Sequence, residues 1–143
     1  PVQKLDMAPT HQYLDIIIQD DMKYDIRIEN AQMESGEFYR LGNPDDILTT
    51  DDIDDMSIRH NGGSREICSI SEPGSMLGPS GAVDLVDDVR DVRICTLAWR
   101  ATMKPGEHNS FLIRDHNPKY RVDIGEWNKS GTIGDVPVSI GEN

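Results

Sequence analysis

Short runs in which apolar and polar residues alternate recur along the chain, and this feature limits its fold most strongly. Ile26 and Ile28 fall on one face of the segment 24–30, and the charged residues between and beside them fall on the other. A period of two is typical of a half-buried β-strand, because successive side chains point to opposite faces. No segment shows a sustained period of 3.6 residues with helix caps. The sequence therefore predicts a fold built from strands.

The predicted strands are about five residues long and are separated by turns rich in Gly, Pro, Asn and Asp. They comprise residues 13–18, 24–30, 37–41, 56–58, 66–70, 82–86, 92–99, 111–114, 120–124 and 136–140. Asn61-Gly62 is the strongest hairpin signal and predicts that strands 56–58 and 66–70 pair. Residues 42–45 are predicted to form a turn and 72–81 a loop. Turn signals that recur at intervals of roughly 8 to 12 residues predict one all-β domain over residues 1–143, either a sandwich or a small barrel.

The chain is strongly acidic, with 26 Asp and Glu against 14 Lys and Arg among 143 residues and a formal net charge of −12. A field of this sign repels phosphate backbones, which disfavours nucleic acid as a partner. It also repels anionic lipids, so a polybasic patch, worth about 1 kcal/mol per Lys or Arg, does not explain membrane adsorption. A lipid target would therefore carry a neutral or zwitterionic headgroup held in a specific site.

Membrane-spanning and secretion segments are not visible in the sequence. The longest aliphatic run is Ile16 to Ile18, against the roughly 20 apolar residues that a spanning helix needs. The segment 1–4 lacks the apolar core of a signal peptide. We therefore expect a protein that is secreted or released without a visible signal peptide. The alternative that a signal was removed before residue 1 stays open.

Motifs for metal binding or catalysis are few. Cys68 and Cys95 are not spaced as a zinc or redox site, so two reduced core thiols are favoured over a disulfide. The aspartates of 45–55 lack the glycine and terminal glutamate of a calcium loop, which favours a solvated loop. The four histidines lack metal-ligand spacing and are expected to be single and exposed, and no nucleophile motif occurs. The sequence favours a protein without metal, cofactor or enzymatic activity.

Basic and aromatic residues gather in the later part of the chain. Basic side chains donate to phosphate, and Trp or Tyr rings suit the wet edge of a membrane and can face an ammonium. Rings in a sandwich mostly fill the core, however, and Lys and Arg mostly coat it, so both interpretations stay open. The residues are Arg90, Arg93, Arg100, Lys104, Arg114, Lys119, Arg121 and Lys129, beside Trp99, Phe111, Tyr120 and Trp127.

Three segments, spread along the chain from residue 12 to residue 140, resemble the aegerolysin family. The segment 12–30, with Gln12-Tyr13-Leu14 and its aliphatic run, is similar to the family's opening. Gly81-Ala82-Val83-Asp84-Leu85-Val86-Asp87 resembles its Gly-x-Phe-Asp-Leu-Val-Asp segment, the most specific match. The segment 125–140, with Ser130-Gly131-Thr132-Ile133-Gly134, is similar to its closing segment. The resemblance implies a β-sandwich of two antiparallel sheets.

The resemblance also implies a function at membranes. Aegerolysins recognise membrane sphingolipids or lipid domains, and several recruit a larger perforin-like (MACPF) protein that forms the pore. This chain resembles the bacterial insecticidal two-component members more than the mushroom hemolysins. We therefore predict the lipid-binding subunit of a two-component, insecticidal pore-forming toxin that acts at the target-cell membrane, with a homo-oligomer as a further option.

The lipid site implied by the resemblance consists of Tyr13, Ser35, Leu77, Trp99, Arg100 and Lys104. Lys104, Trp99 and Tyr13 would contact the lipid, with Arg100 as a second partner for phosphate. Ser35 stands where fungal members carry a lipid-facing Trp, and Leu77 replaces a glutamate associated with lipid choice. Fewer rings make a poorer choline cage, so the hypothesis is a primary-amine headgroup such as that of phosphoethanolamine sphingolipid.

Other functions remain as alternatives. One is a lipid-binding or cell-surface module that forms no pore. Another is a glycan-binding or structural sandwich, in which exposed Trp99 and Trp127 would stack on sugars. A hydrolase ranks last, since it would need His and carboxylate groups converging in one cleft.

Overall fold

The computed structural model describes residues 12–143, which form eleven β-strands and one short α-helix arranged as two sheets. The strands are β1 (Tyr13–Asp20), β2 (Ile26–Ser35), β3 (Glu37–Arg40), β4 (Asn43–Leu48), β5 (Ser57–Ile58), β6 (Gly63–Ile70), β7 (Ser80–Asp87), β8 (Val92–Arg100), β9 (Ser110–Arg114), β10 (Tyr120–Ile124) and β11 (Gly134–Glu142). The helix α1 spans Thr50–Ile53. In this described part of the chain, no helix has the length and hydrophobicity needed to cross a membrane.

The two sheets have different sizes and strand orders. The first sheet has the order β10-β11-β1-β6-β3-β4, and the second has the order β5-β2-β7-β8-β9. Neighbouring strands within residues 12–143 are antiparallel except β1 and β11, which run parallel with Leu14 opposite Gly134. These two strands are separated by most of the chain, so no hairpin turn in the sequence indicates their relative direction. The predicted all-β sandwich of two sheets is confirmed, and this one pair is corrected from antiparallel to parallel.

The core lies between the inner faces of the two sheets. Leu14, Ile16 and Ile18 of β1 are fully buried, whereas Tyr13 and Gln19 on the other face are exposed. Burying one such aliphatic side chain contributes about 1.5–3 kcal/mol, which fixes the strand face that turns inward. The second sheet contributes buried residues that include Ile26, Ile28, Val83, Leu85, Leu97 and Trp99.

Residues 42–55, predicted to be a turn and a solvated acidic loop, contain β4 and α1. The strand β4 is at the sheet edge and pairs with β3 alone, where the missing N–H of Pro44 costs no ladder hydrogen bond. Helix α1 starts with a capping box, in which Thr49 Oγ1 accepts from the Asp52 N–H (3.1 Å) and the Asp52 carboxylate accepts from the Thr49 N–H (2.7 Å). Ile53 is buried. Part of the acidic run therefore caps a helical turn.

The predicted turn at Asn61-Gly62 forms, but its flanking strands do not pair. Both residues have positive φ angles, 57° and 94°. Strand β5 pairs with β2 in the second sheet, whereas β6 pairs with β1 and β3 in the first. The N–H groups of Asn61 and Gly62 donate to the carbonyls of Met22 and Asp20. The hairpin prediction is wrong, because contacts with the β1–β2 turn direct the chain from one sheet to the other.

Both cysteines are buried and free. Cys68 lies in β6 of the first sheet and Cys95 in β8 of the second. Burial raises the pKa of each thiol to about 12. The prediction of two buried, reduced thiols is confirmed.

Candidate functional site

Two loops at one end of the sandwich enclose a cavity. The strand pairing of β7 with β8 places the loop 71–79, which precedes Ser80, beside the loop 101–109, which follows Arg100. The end of β2 at Ser35 lies opposite Ser80. The cavity between these segments, which we call the loop-end cavity, has a volume of about 280 Å³. Its lining includes Glu34, Ser35, Leu77, Arg100, Lys104 and Glu107.

Four of the six predicted site residues line the loop-end cavity, namely Ser35, Leu77, Arg100 and Lys104. The Ser35 hydroxyl donates to the Gly78 carbonyl at 2.6 Å. Within residues 12–143, the Arg100 guanidinium has no hydrogen bond and no ion pair within 4.0 Å. Lys104 Nζ lies 4.0 Å from Glu107 Oε1, and both side chains are exposed. The cavity therefore presents two cationic groups that are available to an anionic ligand.

Two carboxylates share this cavity with the cations. Glu34 accepts from the Ser80 hydroxyl at 3.3 Å, and Glu107 accepts from the Thr102 hydroxyl at 3.0 Å. Opposite charges on neighbouring walls complement a zwitterion, whose phosphate would meet a cation and whose amine would meet a carboxylate. None of the described residues that line the cavity is aromatic. These walls therefore lack the ring faces that hold a quaternary ammonium.

An apolar loop tip stands beside the charged cavity. Met76 is 79% exposed and Leu77 is 60% exposed. The Ser75 hydroxyl accepts from the Leu77 N–H at 3.0 Å, which holds the tip in a turn. Sequence reasoning missed Met76, although two adjacent apolar residues within a segment rich in Gly, Pro and Ser were a visible signal.

The loop 71–79 is fixed by close approach to the end of β8. The Ala101 N–H donates to the Pro79 carbonyl at 2.9 Å. A Cβ atom at Gly78 would lie 2.2 Å from the Ala101 carbonyl oxygen, so only glycine fits there. Leu77 is therefore held next to Arg100 by a backbone contact that tolerates no side chain.

Two buried amides anchor the loop that carries Lys104. Gln12 Nε2 donates to the carbonyls of Thr102 (2.7 Å) and Gly131 (2.9 Å), and its Oε1 accepts from the Ile133 N–H at 2.9 Å. Asn109 Oδ1 accepts from the Thr102 N–H at 3.0 Å, and its Nδ2 donates to the Gly131 carbonyl at 3.0 Å. Both side chains are almost fully buried. Sequence reasoning missed this support, because all partners except Thr102, which lies 7 residues from Asn109, are about 20 to 120 residues away from the amide that they bind.

The structure corrects one aromatic member of the predicted site, Trp99, and places the other, Tyr13, outside the loop-end cavity. Trp99 is only 3% exposed and packs edge-to-face on Phe38, with ring centroids 6.2 Å apart. Neither direct lipid contact nor sugar stacking by Trp99 is compatible with this position. Tyr13 is 36% exposed, but it lies opposite Ile70 in the first sheet and does not line the loop-end cavity. Trp127 is half-buried against Phe111.

Residues 12–143 contain no group of three or more His, Cys, Asp or Glu side chains arranged to hold a metal ion. His60 Nδ1 lies 2.5 Å from Asp25 Oδ1, and this hydrogen bond lowers the pKa of Asp25. His60 is therefore not the single, unpartnered histidine that was predicted. His11 lies outside the described residues.

Known proteins resemble the chain in sequence and in fold. Asp-hemolysin of Aspergillus fumigatus is 31% identical over 117 residues, covering 81% of this chain and 81% of that protein. Terrelysin of Aspergillus terreus is 30% identical over 132 residues, covering 90% of this chain and 87% of that protein. The crystal structure of RahU in complex with Tris superposes with a TM-score of 0.85 at 24% identity, covering 92% of this chain and 96% of that chain.

The family match covers nearly the whole chain. The family model described as Aegerolysin matches residues 11–143. This span contains each of the segments whose motifs predicted the family, from Gln12 to the closing strand β11. The chain therefore belongs to the aegerolysin family.

Proposed function

We propose that this chain binds a membrane lipid through its loop-end cavity and serves as the lipid-recognising subunit of a toxin. Membership of the aegerolysin family and a relative named a hemolysin support a lipid-binding, toxin-related and non-enzymatic role. The observation that carries the proposal is the placement of Arg100 and Lys104 in one cavity beside the exposed tip Met76-Leu77. Cations beside an exposed apolar tip suit the boundary between lipid headgroups and acyl chains.

The orientation on the membrane follows from the positions of these groups. The tip residues Met76 and Leu77 enter the headgroup region, where burial of apolar surface contributes about 25 cal/mol per Å². Arg100 and Lys104 then lie at the depth of the lipid phosphates and donate to them. Because the protein carries a net charge of −12, a bilayer without net charge is preferred over an anionic one.

The headgroup that best fits the cavity is phosphoethanolamine on a sphingolipid. A primary ammonium offers three N–H donors, and Glu34 and Glu107 present carboxylate acceptors on the cavity walls. Choline has no N–H donor and depends on ring faces, which the described lining does not provide. The cavity chemistry therefore favours the primary amine.

A vesicle flotation assay tests the lipid proposal. We expect binding to vesicles containing phosphoethanolamine sphingolipid to be at least about tenfold tighter than to matched choline vesicles, a difference of about 1.4 kcal/mol. Lys104→Gln and Arg100→Gln should each weaken this binding about fivefold or more. Lys119→Gln removes the same charge from an exposed position far from the cavity and should change binding less than twofold. Equal binding to both vesicle types, or none to either, would contradict the proposal.

The pore-forming step is assigned to a partner. The resemblance to bacterial two-component members supports recruitment of a perforin-like protein at the target-cell membrane, with insect cells as the target. Dye-loaded vesicles should stay sealed with this chain alone and leak when the partner is added. Leakage caused by the chain alone would contradict this division of labour. Binding without leakage in either arm would favour the alternative, a surface module that forms no pore.

A further inference from the structure

A second groove crosses the outer face of the second sheet, next to the loop-end cavity. Its volume is about 320 Å³. The floor consists of the small residues Gly81, Ala82 and Ala98, and Arg100 and Arg114 are part of its walls. We call it the arginine groove. A volume near 300 Å³ is at the small end of the range for ligand sites.

The register of β8 and β9 places the two arginines on either side of a low floor. Arg100 lies opposite Ser110, Leu112 opposite Ala98, and Arg114 opposite Thr96. These residues alternate with the core-facing Trp99 and Phe111, so they share the outer face. The small side chain of Ala98 leaves open space between the outward-facing side chains of β8 and β9. A ligand resting on this alanine would have one guanidinium at each end.

Neither arginine of the groove is neutralised by a residue in the described part of the chain. The side chains of Arg100 and Arg114 have no carboxylate within 4.0 Å and no hydrogen bond among residues 12–143. Other arginines of the described chain do form ion pairs, among them Arg27, Arg40, Arg90, Arg93 and Arg121. With 26 acidic residues available against 14 basic ones, an unpaired pair in one groove is unexpected. Both guanidinium groups are therefore available to an external anion.

The remaining groups of the groove match a sugar-sized ligand. Gln32, Ser80 and Ser110 provide an amide and two hydroxyls along the groove. Leu112 is 49% exposed and offers an apolar surface to the C–H face of a sugar ring. Glu34, which accepts from the Ser80 hydroxyl at 3.3 Å, lies at the end shared with the loop-end cavity. Its negative charge directs an anion toward Arg114.

We propose that the arginine groove binds an anionic sugar through its sulfate, phosphate or carboxylate group. The Arg114 guanidinium donates two hydrogen bonds to the anionic group, and Arg100 contacts this group from the other side. The amide and hydroxyls of the groove bind the sugar hydroxyls. Arg100 lines both this groove and the loop-end cavity, whereas Arg114 lines the groove and not that cavity, so Arg114 separates this proposal from lipid binding. The source of the sugar is either a glycolipid headgroup or a free glycan chain, and the test separates the two.

Calorimetric titration of the full chain with a sulfated disaccharide and with its unsulfated counterpart tests the assignment. We expect saturable binding of the sulfated sugar and at least about tenfold weaker binding of the unsulfated one, a difference of about 1.4 kcal/mol. Arg114→Gln should weaken the sulfated complex about tenfold. Arg59→Gln is the matched control, since Arg59 is exposed and lies outside the groove. Its effect should stay below twofold.

The outcomes separate this proposal from its rivals. No binding of either disaccharide, or an equal loss in Arg59→Gln and Arg114→Gln, would overturn it. Vesicles that carry a sulfated glycolipid form a second arm of the test. Binding to the free sugar as well as to these vesicles would show that the groove recognises the sugar of the headgroup itself. Arg114→Gln should still float with phosphoethanolamine sphingolipid vesicles. If native protein fails that flotation but binds sulfated sugar, the lipid proposal fails and this one stands.

Discussion

The hydroxyl of Tyr120 donates a 2.7 Å hydrogen bond to Oδ2 of Asp87, and this buried pair joins the two sheets. Tyr120 begins β10 of the first sheet, and Asp87 ends β7 of the second. The Asp87 carboxylate also accepts from the backbone N–H groups of Val89 and Arg90 and from the Arg90 guanidinium. Burial acts to raise the pKa of Asp87, but the hydrogen bonds from Tyr120 and Arg90 outweigh it and lower the pKa. Asp87 is therefore a charged connection between the sheets.

Tyr120→Phe should lower the free energy of unfolding by about 1–3 kcal/mol, because it leaves a buried carboxylate oxygen with one donor fewer. Tyr24→Phe is the matched control, since the hydroxyl of Tyr24 makes no hydrogen bond within residues 12–143. Urea unfolding of both variants provides the measurement. Equal midpoints for Tyr120→Phe and native protein would show that the bond does not stabilise the fold.

Asp20 should make the protein more stable at weakly acidic pH than at neutral pH. Burial, and then the nearby charge of Asp25, raise its pKa from 3.8 to about 7, and its Oδ2 atom is buried without a partner in the described chain. A folded pKa above the unfolded one means that the fold binds more protons between pH 4 and 7, so this contribution is present below pH 4 and falls as pH rises to 7. Burial, and then Glu66, also raise the pKa of Asp15 to about 7, which acts in the same direction.

The variant Asp20→Asn isolates this contribution. Asn imitates the protonated carboxyl, and its Oδ1 can still accept from the Met22 N–H as Asp20 does at 2.8 Å. From pH 5 to pH 8, the free energy of unfolding should therefore decrease less in this variant than in the native protein, by roughly 1–3 kcal/mol. Asp45→Asn, at an exposed carboxylate of β4, should keep the native pH dependence. If Asp20→Asn keeps it as well, Asp20 does not titrate between pH 5 and 8 in the folded protein, and the prediction is wrong.

Gly78→Ala should displace the loop 71–79. The added methyl would meet the Ala101 carbonyl oxygen at 2.2 Å, and relief of that clash costs about 1–3 kcal/mol. Because Leu77 precedes Gly78 directly, vesicle binding should fall together with the melting temperature. Gly106→Ala in the neighbouring loop serves for comparison, since it carries the strain of a positive φ of 77° but its Cβ meets nothing within 4 Å. Native binding and stability in Gly78→Ala would refute the close approach.

Asn109→Ala should loosen the loop that carries Lys104. The substitution leaves the Thr102 N–H and the carbonyls of Asn128 and Gly131 without this amide, at a cost of about 2–3 kcal/mol. Hydrogen exchange should accelerate across residues 101–109, and vesicle binding should weaken. Asn43→Ala, at an exposed position of the edge strand, should alter neither. Unchanged exchange in 101–109 would argue against the anchoring role.

Trp99 should report no contact with lipid. Trp127→Phe leaves Trp99 as the one tryptophan of the chain, and at 3% exposure its emission should be that of a buried ring. Adding vesicles that bind the protein should leave the emission wavelength unchanged. Quenching of Trp99 by brominated acyl chains would show that the ring reaches the bilayer after all.

Most strands were predictable because the periodicity of their side chains is a local property. Ile26 and Ile28 identify β2 through the face they share, and the turn at Asn61-Gly62 needs only backbone geometry. Pairing was less predictable because it depends on distant partners. The chain turns at Asn61-Gly62 as predicted, but the partners of β5 and β6 lie elsewhere in the sequence.

The family resemblance named four residues that the structure brings together, but it did not predict which side chains are buried. Ser35, Leu77, Arg100 and Lys104 were identified through the family resemblance, and they line one cavity. Trp99 was assigned to lipid, yet it follows the buried Leu97 by two positions, so the alternation in β8 already placed its ring inward.

The parallel pairing of β1 with β11 sets where labels can be attached. Leu14 and Gly134 lie opposite each other at one end of this pair of strands, and Asp20 and Ile140 lie opposite each other at the other end. A fluorescent label attached beside Ile140 would lie at the end away from the loops that we propose face the membrane. The same label attached beside Gly134 would lie at the other end and, under that proposal, would obstruct docking.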